Sequence, residues 1–201
     1  SDVYKRQTLR HAARVDPHVE IATADNGTVI HRTTYAEADL RARRLASALE
    51  KRALAGDGVF LGALAWNTWR LFEVMHAVPG AGAVLHTANP RLHEGHLAYT
   101  IRHTKDRAVF VDLDCLPLAE AIAPDCPSVD HGIIRAAKDA RPETSRAGAL
   151  CYEDLIEEGD PAYSWPEFDE RRASTLCYTS ATTGDPKGVL YSHRGTVINL
   201  L

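Results

Sequence analysis

The run Val59-Phe60-Leu61-Gly62-Ala63-Leu64-Ala65 carries no polar side chain, and this constrains the fold more than any other feature of the chain. A strand with one face in water alternates polar and apolar residues. An unbroken apolar strand is covered on both faces, as in a parallel sheet between helix layers. Further strand-like runs recur at Ala83–His86, Ala108–Asp112, Val129–Arg135, Thr175–Thr179 and Val189–Ser192. Helical patterns lie between them. One is capped by Asn67 or Thr68 and runs to about Val78, where Pro79-Gly80 is expected to break it; Glu94–His103, Leu116–Ala123 and Tyr152–Glu158 follow. The alternation predicts an α/β fold, an open and mostly parallel sheet with flanking helices.

A small β-hairpin is expected ahead of the sheet. Val19–Ala24 and Thr28–Arg32 flank Asn26-Gly27, a pair suited to a tight turn with two positive φ angles. Thr33 or Thr34 then caps a helix from Tyr35, and Glu37 completes a capping box. Tyr35, Ala38, Ala42, Leu45, Ala46 and Leu49 form its apolar stripe, and Arg41, Arg43, Arg44 and Lys51 are expected to face outward. Residues 1–7 join no periodicity and read as a leader, foreign to the native gene or without order. Residues 8–201 are expected to be one domain cut short at its C-terminal end, because Asn199-Leu200-Leu201 stands inside an apolar run. The stretch Lys138–Gly148 reads as a surface loop.

Composition excludes several classes. With 45% hydrophobic and 25% charged residues there is material for an ordinary core. The net charge of −4, without a basic block, argues against nucleic acid as a partner. No apolar run has the length of a membrane span and no signal segment opens the chain, so a cytoplasmic location is expected. Cys115, Cys126, Cys151 and Cys177 show no paired spacing and read as buried thiols. His93-Glu94-Gly95-His96 falls one residue short of a zinc-binding HExxH pattern.

Chemistry concentrates in Tyr178-Thr179-Ser180-Ala181-Thr182-Thr183-Gly184-Asp185-Pro186-Lys187-Gly188-Val189. Four short hydroxyl side chains, two glycines and a lysine between two apolar runs offer a polyphosphate many donors, little bulk and positive charge. Lys187 precedes Gly188, so this is not a Walker A loop. The stretch instead resembles the signature loop of the adenylate-forming superfamily, Tyr-Thr-Ser-Gly-Thr-Thr-Gly-x-Pro-Lys-Gly-Val, departing only at Ala181. The continuation Tyr191-Ser192-His193-Arg194, and the earlier stretches Leu64–Thr68, Ala77–Thr87 and Asn89-Pro90-Arg91-Leu92, are similar to the medium- and long-chain fatty-acyl-CoA ligase branch.

The resemblance implies the front part of an N-terminal AMP-binding domain and a two-step reaction. A carboxylate would attack the α-phosphate of ATP, and coenzyme A would then displace AMP. Thr179, Ser180, Ala181, Thr182, Thr183, Gly184 and Lys187 would form the nucleotide-binding stretch. The hydroxyls would donate to the β- and γ-phosphates, and Lys187 would support pyrophosphate departure. Thr179 is the candidate protein ligand for Mg2+. A fatty carboxylate, ATP and coenzyme A are the expected small-molecule partners, and a homodimer is possible by analogy. Other acid-activating enzymes, such as aryl-acid ligases or adenylation domains, share this loop. A Cβ at Ala181 would strain any position needing positive φ, so a nucleotide-binding protein without turnover is the alternative; a tolerated substitution is favoured. A kinase-like module is a third class, separable because it releases no pyrophosphate. His193 and Arg194 are read as capping or subunit-packing residues, not catalytic ones. Trp66 and Trp69 are read as core or joint residues in preference to a ligand-stacking wall.

Overall fold

In a computed structural model the described residues are 4–136, 148–179 and 185–200. The chain opens with helix α1 (Lys5–Val15), then the hairpin β1 (Glu20–Asp25) and β2 (Thr28–Thr34), and α2 (Tyr35–Lys51). The α/β part follows: β3 (Phe60–Leu64), α3 (Trp69–Gly80), β4 (Val84–Ala88), α4 (Glu94–Thr104), β5 (Ala108–Val111), α5 (Leu116–Ile122) and β6 (His131–Ile134). It ends with β7 (Leu150–Cys151), α6 (Tyr152–Glu158), β8 (Ala173–Tyr178), β9 (Gly188–Ser192) and α7 (His193–Ile198).

The local signals act as expected. Asn26 and Gly27 take φ of 46° and 80°, and β1 pairs antiparallel with β2. Thr34 caps α2, with its side chain accepting from the Glu37 N–H while Glu37 accepts from the Thr34 N–H. The larger sheet has the order β7-β6-β5-β3-β4-β8-β9, parallel throughout except for β8 with β9. One face packs on α2, α3 and α6 through Leu45, Leu49, Val74, Leu85 and Phe110; the other packs on α4 and α5 through Leu64, Leu97, Ile101 and Val111. This double covering is the reason Val59–Ala65 carries no polar residue.

Several expectations need correction. Pro79 does not break α3; it sits in the last turn, where Ala81 N–H still donates to Ala77 and Ala83 N–H to Val78. The helix carries on past the N–H that Pro79 lacks, and is ended instead by Gly82 at φ 84°. Arg41 does not face outward. Its Nε lies 2.7 Å from Glu73 and its Nη2 3.0 Å from Glu153, and Arg70 also reaches Glu153 at 2.8 Å. Glu73 is fully buried and also accepts from the Tyr152 hydroxyl at 2.6 Å. Burial pushes the Glu73 carboxyl up, with Arg41 and Tyr152 opposing. The leader expected over residues 1–7 overlaps α1, and Tyr4, Lys5 and Arg6 are buried. The two-residue strand β7 was too short to show in the apolar pattern. The loop expected at Lys138–Gly148 lies outside the described residues except for Gly148.

Candidate phosphate-binding site

Every parallel strand delivers its carboxyl end to one edge of the sheet. After β3 come Trp66, Asn67 and Thr68; after β4, Asn89-Pro90-Arg91; after β5, Asp112 to Asp114; after β6, Arg135; after β8, Thr179. The connection leaving β3 runs toward β4, and the one leaving β5 runs the opposite way toward β6. The ends of β3 and β5 are therefore a topological switch point, where open α/β sheets leave a crevice for ligands. A cleft of about 540 Å³ lies there, lined by Trp66, Asn67, Arg91, Asp112, Asp114 and Arg135 and flanked by the hairpin.

The rim of this cleft is built by Asp112. Its carboxylate accepts from the Trp66 N–H at 2.7 Å and lies 3.3 Å from Arg135 Nη1, while Arg135 Nη2 donates to Thr68 at 2.6 Å. The ends of β3, β5 and β6 are thus tied together. Burial pushes the Asp112 carboxyl up and the Arg135 guanidinium down, and each attracts the other toward its charged form. Arg135 and Asp112 were not singled out from the sequence, because a polar residue closing an apolar run reads only as a strand end. Trp66 is not core: it is 38% exposed and its indole N–H donates to Asp114 at 3.1 Å. Trp69 is a joint, stacked on His31 of the hairpin at 3.8 Å between ring centroids.

The phosphate stretch connects β8 to its antiparallel neighbour β9 at this same edge. Ser180, Ala181, Thr182, Thr183 and Gly184 lie outside the described residues, so the structure describes the two roots of the loop. Thr179 is exposed; its N–H donates to the Lys187 carbonyl at 3.0 Å and its hydroxyl makes a longer contact to the same oxygen at 3.4 Å. Lys187 is exposed and Pro186 is buried between them. Thr179 and Lys187 therefore meet at the mouth of the hairpin, with backbone groups clamping its neck. As a metal ligand Thr179 offers one neutral oxygen, whereas Mg2+ requires near-octahedral oxygen coordination. That donor fits Mg2+ as a single protein ligand, with the phosphates and water supplying the rest. Among the described residues no group of three or more His, Cys, Asp or Glu could hold a metal ion. His93 and His96 are exposed, His93 capping α4. Cys115, Cys126 and Cys151 are buried free thiols, and Cys177 is half-buried. His193 is buried at the start of α7, where its Nδ1 accepts from the Lys5 N–H of α1 at 3.1 Å.

The sequence model of the AMP-binding enzyme family matches residues 9–201. The chain belongs to this family. Among curated relatives, the medium-chain-fatty-acid–CoA ligase of Ectopseudomonas oleovorans is 43% identical over 191 residues, covering 95% of this chain and 35% of that protein. The 3-methylmercaptopropionyl-CoA ligase of Ruegeria lacuscaerulensis is 44% identical over the same length and the same shares. The long-chain-fatty-acid–CoA ligase of Thermus thermophilus is 43% identical over 195 residues, or 96% of this chain and 34% of that protein. The chain thus spans about a third of the length of these relatives. The crystal structure of an anthranilate CoA ligase with anthranoyl-AMP superposes with a TM-score of 0.84 at 20% identity, over 96% of this chain and 35% of that one. At that identity the likeness establishes the AMP-binding fold alone.

Proposed function

We propose that this chain is the phosphate-binding front portion of an ATP-dependent acid–thiol ligase. The observation that carries the proposal is the position of the Tyr178–Val189 stretch, matching the adenylate-forming loop at all but one site. Its described roots, Thr179 and Lys187, stand at the carboxyl edge of a parallel sheet in a chain of the AMP-binding family. The names of the relatives, fatty-acid and methylmercaptopropionyl CoA ligases, favour an aliphatic carboxylate over an aryl one.

In this reading a carboxylate oxygen attacks the α-phosphorus, the bond to the bridging oxygen breaks, and pyrophosphate leaves. The thiol of coenzyme A then attacks the acyl carbonyl and AMP leaves. The obstacle in the first step is charge: an anion approaches a polyanion, and more charge gathers on the leaving group. Positioned donors and cations carry such steps. Thr179, Ser180, Thr182 and Thr183 donate to the β- and γ-phosphates, Gly184 lets backbone approach, and Lys187 neutralises the departing pyrophosphate. Mg2+ bound to the phosphates supplies further neutralisation, with Thr179 as its proposed protein ligand. Parts of the nucleotide site, the acyl pocket and the second half-reaction would come from the longer protein, and the 201-residue chain alone is proposed to lack turnover. Among the described residues no helix is long and apolar enough to cross a membrane, which accords with a proposed cytoplasmic ligase. A homodimer is proposed by analogy only.

The test is product identity in the full-length protein, with ATP, coenzyme A and fatty acids of increasing length. AMP and pyrophosphate formed in step with acyl-CoA support the proposal; ADP and phosphate contradict it. A second reading, nucleotide binding without turnover, rests on Ala181. It is supported only if the natural protein is inactive and Ala181→Gly restores activity.

A further inference from the structure

Tyr178 is the last residue of β8 and opens the proposed phosphate stretch, and its side chain reaches α4. Its hydroxyl lies 2.7 Å from His103 Nδ1 and 2.9 Å from Thr104 Oγ1, in the last turn of α4. A phenol carries one proton. The phenol donates to one of these partners and accepts from the other: Thr104 donates when His103 Nδ1 accepts, and His103 Nδ1–H donates when Thr104 accepts. Burial pushes the phenol further from ionisation, so that proton stays in place.

The ring itself is held by two neighbours. It meets His86 edge-on, with centroids 5.2 Å apart. His86 is buried and fixed through Nδ1 to the buried Asp106 carboxylate at 2.7 Å. Gly62 leaves room for that carboxylate, since a Cβ there would come within 2.8 Å of Asp106 Oδ2. Gly188 also stands against the ring, directly opposite Tyr178 in the β8–β9 ladder. A Cβ at Gly188 would lie 3.3 Å from Tyr178 Cζ and 3.0 Å from Leu176 Cδ1. Gly188 has no positive φ, so its lack of a side chain makes room for the Leu176 side chain and the Tyr178 ring, and is not a backbone requirement.

We propose that Tyr178 is a positioning residue for ATP, referencing both roots of the phosphate loop to α4. It holds the incoming root through its own backbone and the outgoing root through Gly188, next to Lys187. The strand β9 needs such a reference, because its first four residues are exposed. Loop donors act on a developing charge only when they are already in place. The inference rests on the reading of this loop as an ATP site, and deepens it.

The test uses the full-length protein and two variants, Tyr178→Phe, which keeps the ring and removes the hydroxyl, and Thr104→Val, which removes one of its partners at similar shape. Losing a hydrogen bond of ordinary strength is expected to weaken ATP binding about 3- to 10-fold. The readouts are calorimetric ATP binding and the KM values for ATP and carboxylate in pyrophosphate exchange. The expected result is a rise in the ATP values in both variants, no change for the carboxylate, and a double variant no worse than Tyr178→Phe alone. Gly188→Ala should raise the ATP values by displacing the ring with the hydroxyl still present. ATP affinity within twofold of wild type in Tyr178→Phe, or equal rises for ATP and carboxylate, would overturn the positioning role. A wild-type protein that binds no ATP would overturn both this inference and the function it rests on, whereas unchanged variants of an active enzyme would overturn this inference alone.

Discussion

At the residue scale the account places its largest demand on Lys187. It is exposed in the structure, so removing it should not unfold the protein. Lys187→Ala in the full-length protein is expected to slow pyrophosphate exchange by about a hundredfold or more, the size of effect seen when one preorganised charge-stabilising donor is deleted. Its melting temperature should stay within a degree or two of wild type. Ala181 makes the opposite demand. If the substitution is tolerated, Ala181→Gly should change exchange by less than about tenfold, below the middle of the 1–3 kcal/mol range for a strained site. The hydroxyls, glycines and lysine of this stretch were legible in the sequence because their residue types carry the chemistry. His86, Asp106 and Tyr178 were not. Their role comes from partners on separate strands and helices, and nothing in the spacing of a buried histidine reveals an aspartate 20 residues away.

At the element scale the sequence was most readable where a local rule decides the outcome. Asn26-Gly27 made the hairpin turn, Thr34 with Glu37 set the start of α2, and apolar continuity marked β3. It misled where long-range contacts decide. Arg41 carries an outward-facing charge by type, yet Glu73 and Glu153 on other helices draw it in. Packing between elements also dictates Gly159, at the end of α6. A Cβ there would sit 2.0 Å from the Arg44 carbonyl oxygen of α2. Backbone cannot yield as a side chain can, so Gly159→Ala should push α6 from α2 and destabilise by about 1–3 kcal/mol, as overpacking does; urea unfolding of the full-length protein checks this. A pH effect belongs to α7. Burial first, then the nearby cations Arg6, Lys5 and Arg172, hold His193 at about 4. His76 is lowered to about 4 as well, again by burial first. An unfolded histidine titrates near 6.5, so between about 6.5 and 4 the unfolded chain binds more protons than the fold. The contribution of these two histidines is constant above that window and falls as pH drops through it, while the Glu73, Asp106 and Asp112 carboxyls, pushed up by burial, act in the opposite sense. A His193→Gln variant whose urea midpoint loses as much from pH 7 to 4.5 as wild type would contradict the His193 part.

At the scale of the whole molecule, the parallel order of the sheet brings the carboxyl ends of six strands, β3 to β8, to one edge, where the switch-point cleft opens and the roots of the proposed phosphate loop lie. The class of fold was legible from alternating strands and helices. The position of the cleft was not, because it depends on strand order. The other consequence of the architecture is exposed apolar surface: Val189, Leu190, Tyr191, Ile198 and Leu200 stand at 41% to 67% exposure on the β9 edge, on α7 and just past it. Edge strands with such residues invite pairing. The isolated 201-residue chain is expected to self-associate in sedimentation velocity, and a clean monomer with a sharp cooperative melt would count against that.

The most direct measurement of the central claim is carboxylate-dependent ATP–pyrophosphate exchange by the full-length protein, across short, medium and long fatty acids and benzoate, without coenzyme A. Exchange that requires a fatty acid and is lost in Lys187→Ala is the expected result, since adenylation is reversible before the thiol arrives. A folded protein that binds ATP but exchanges pyrophosphate with none of these acids would contradict it.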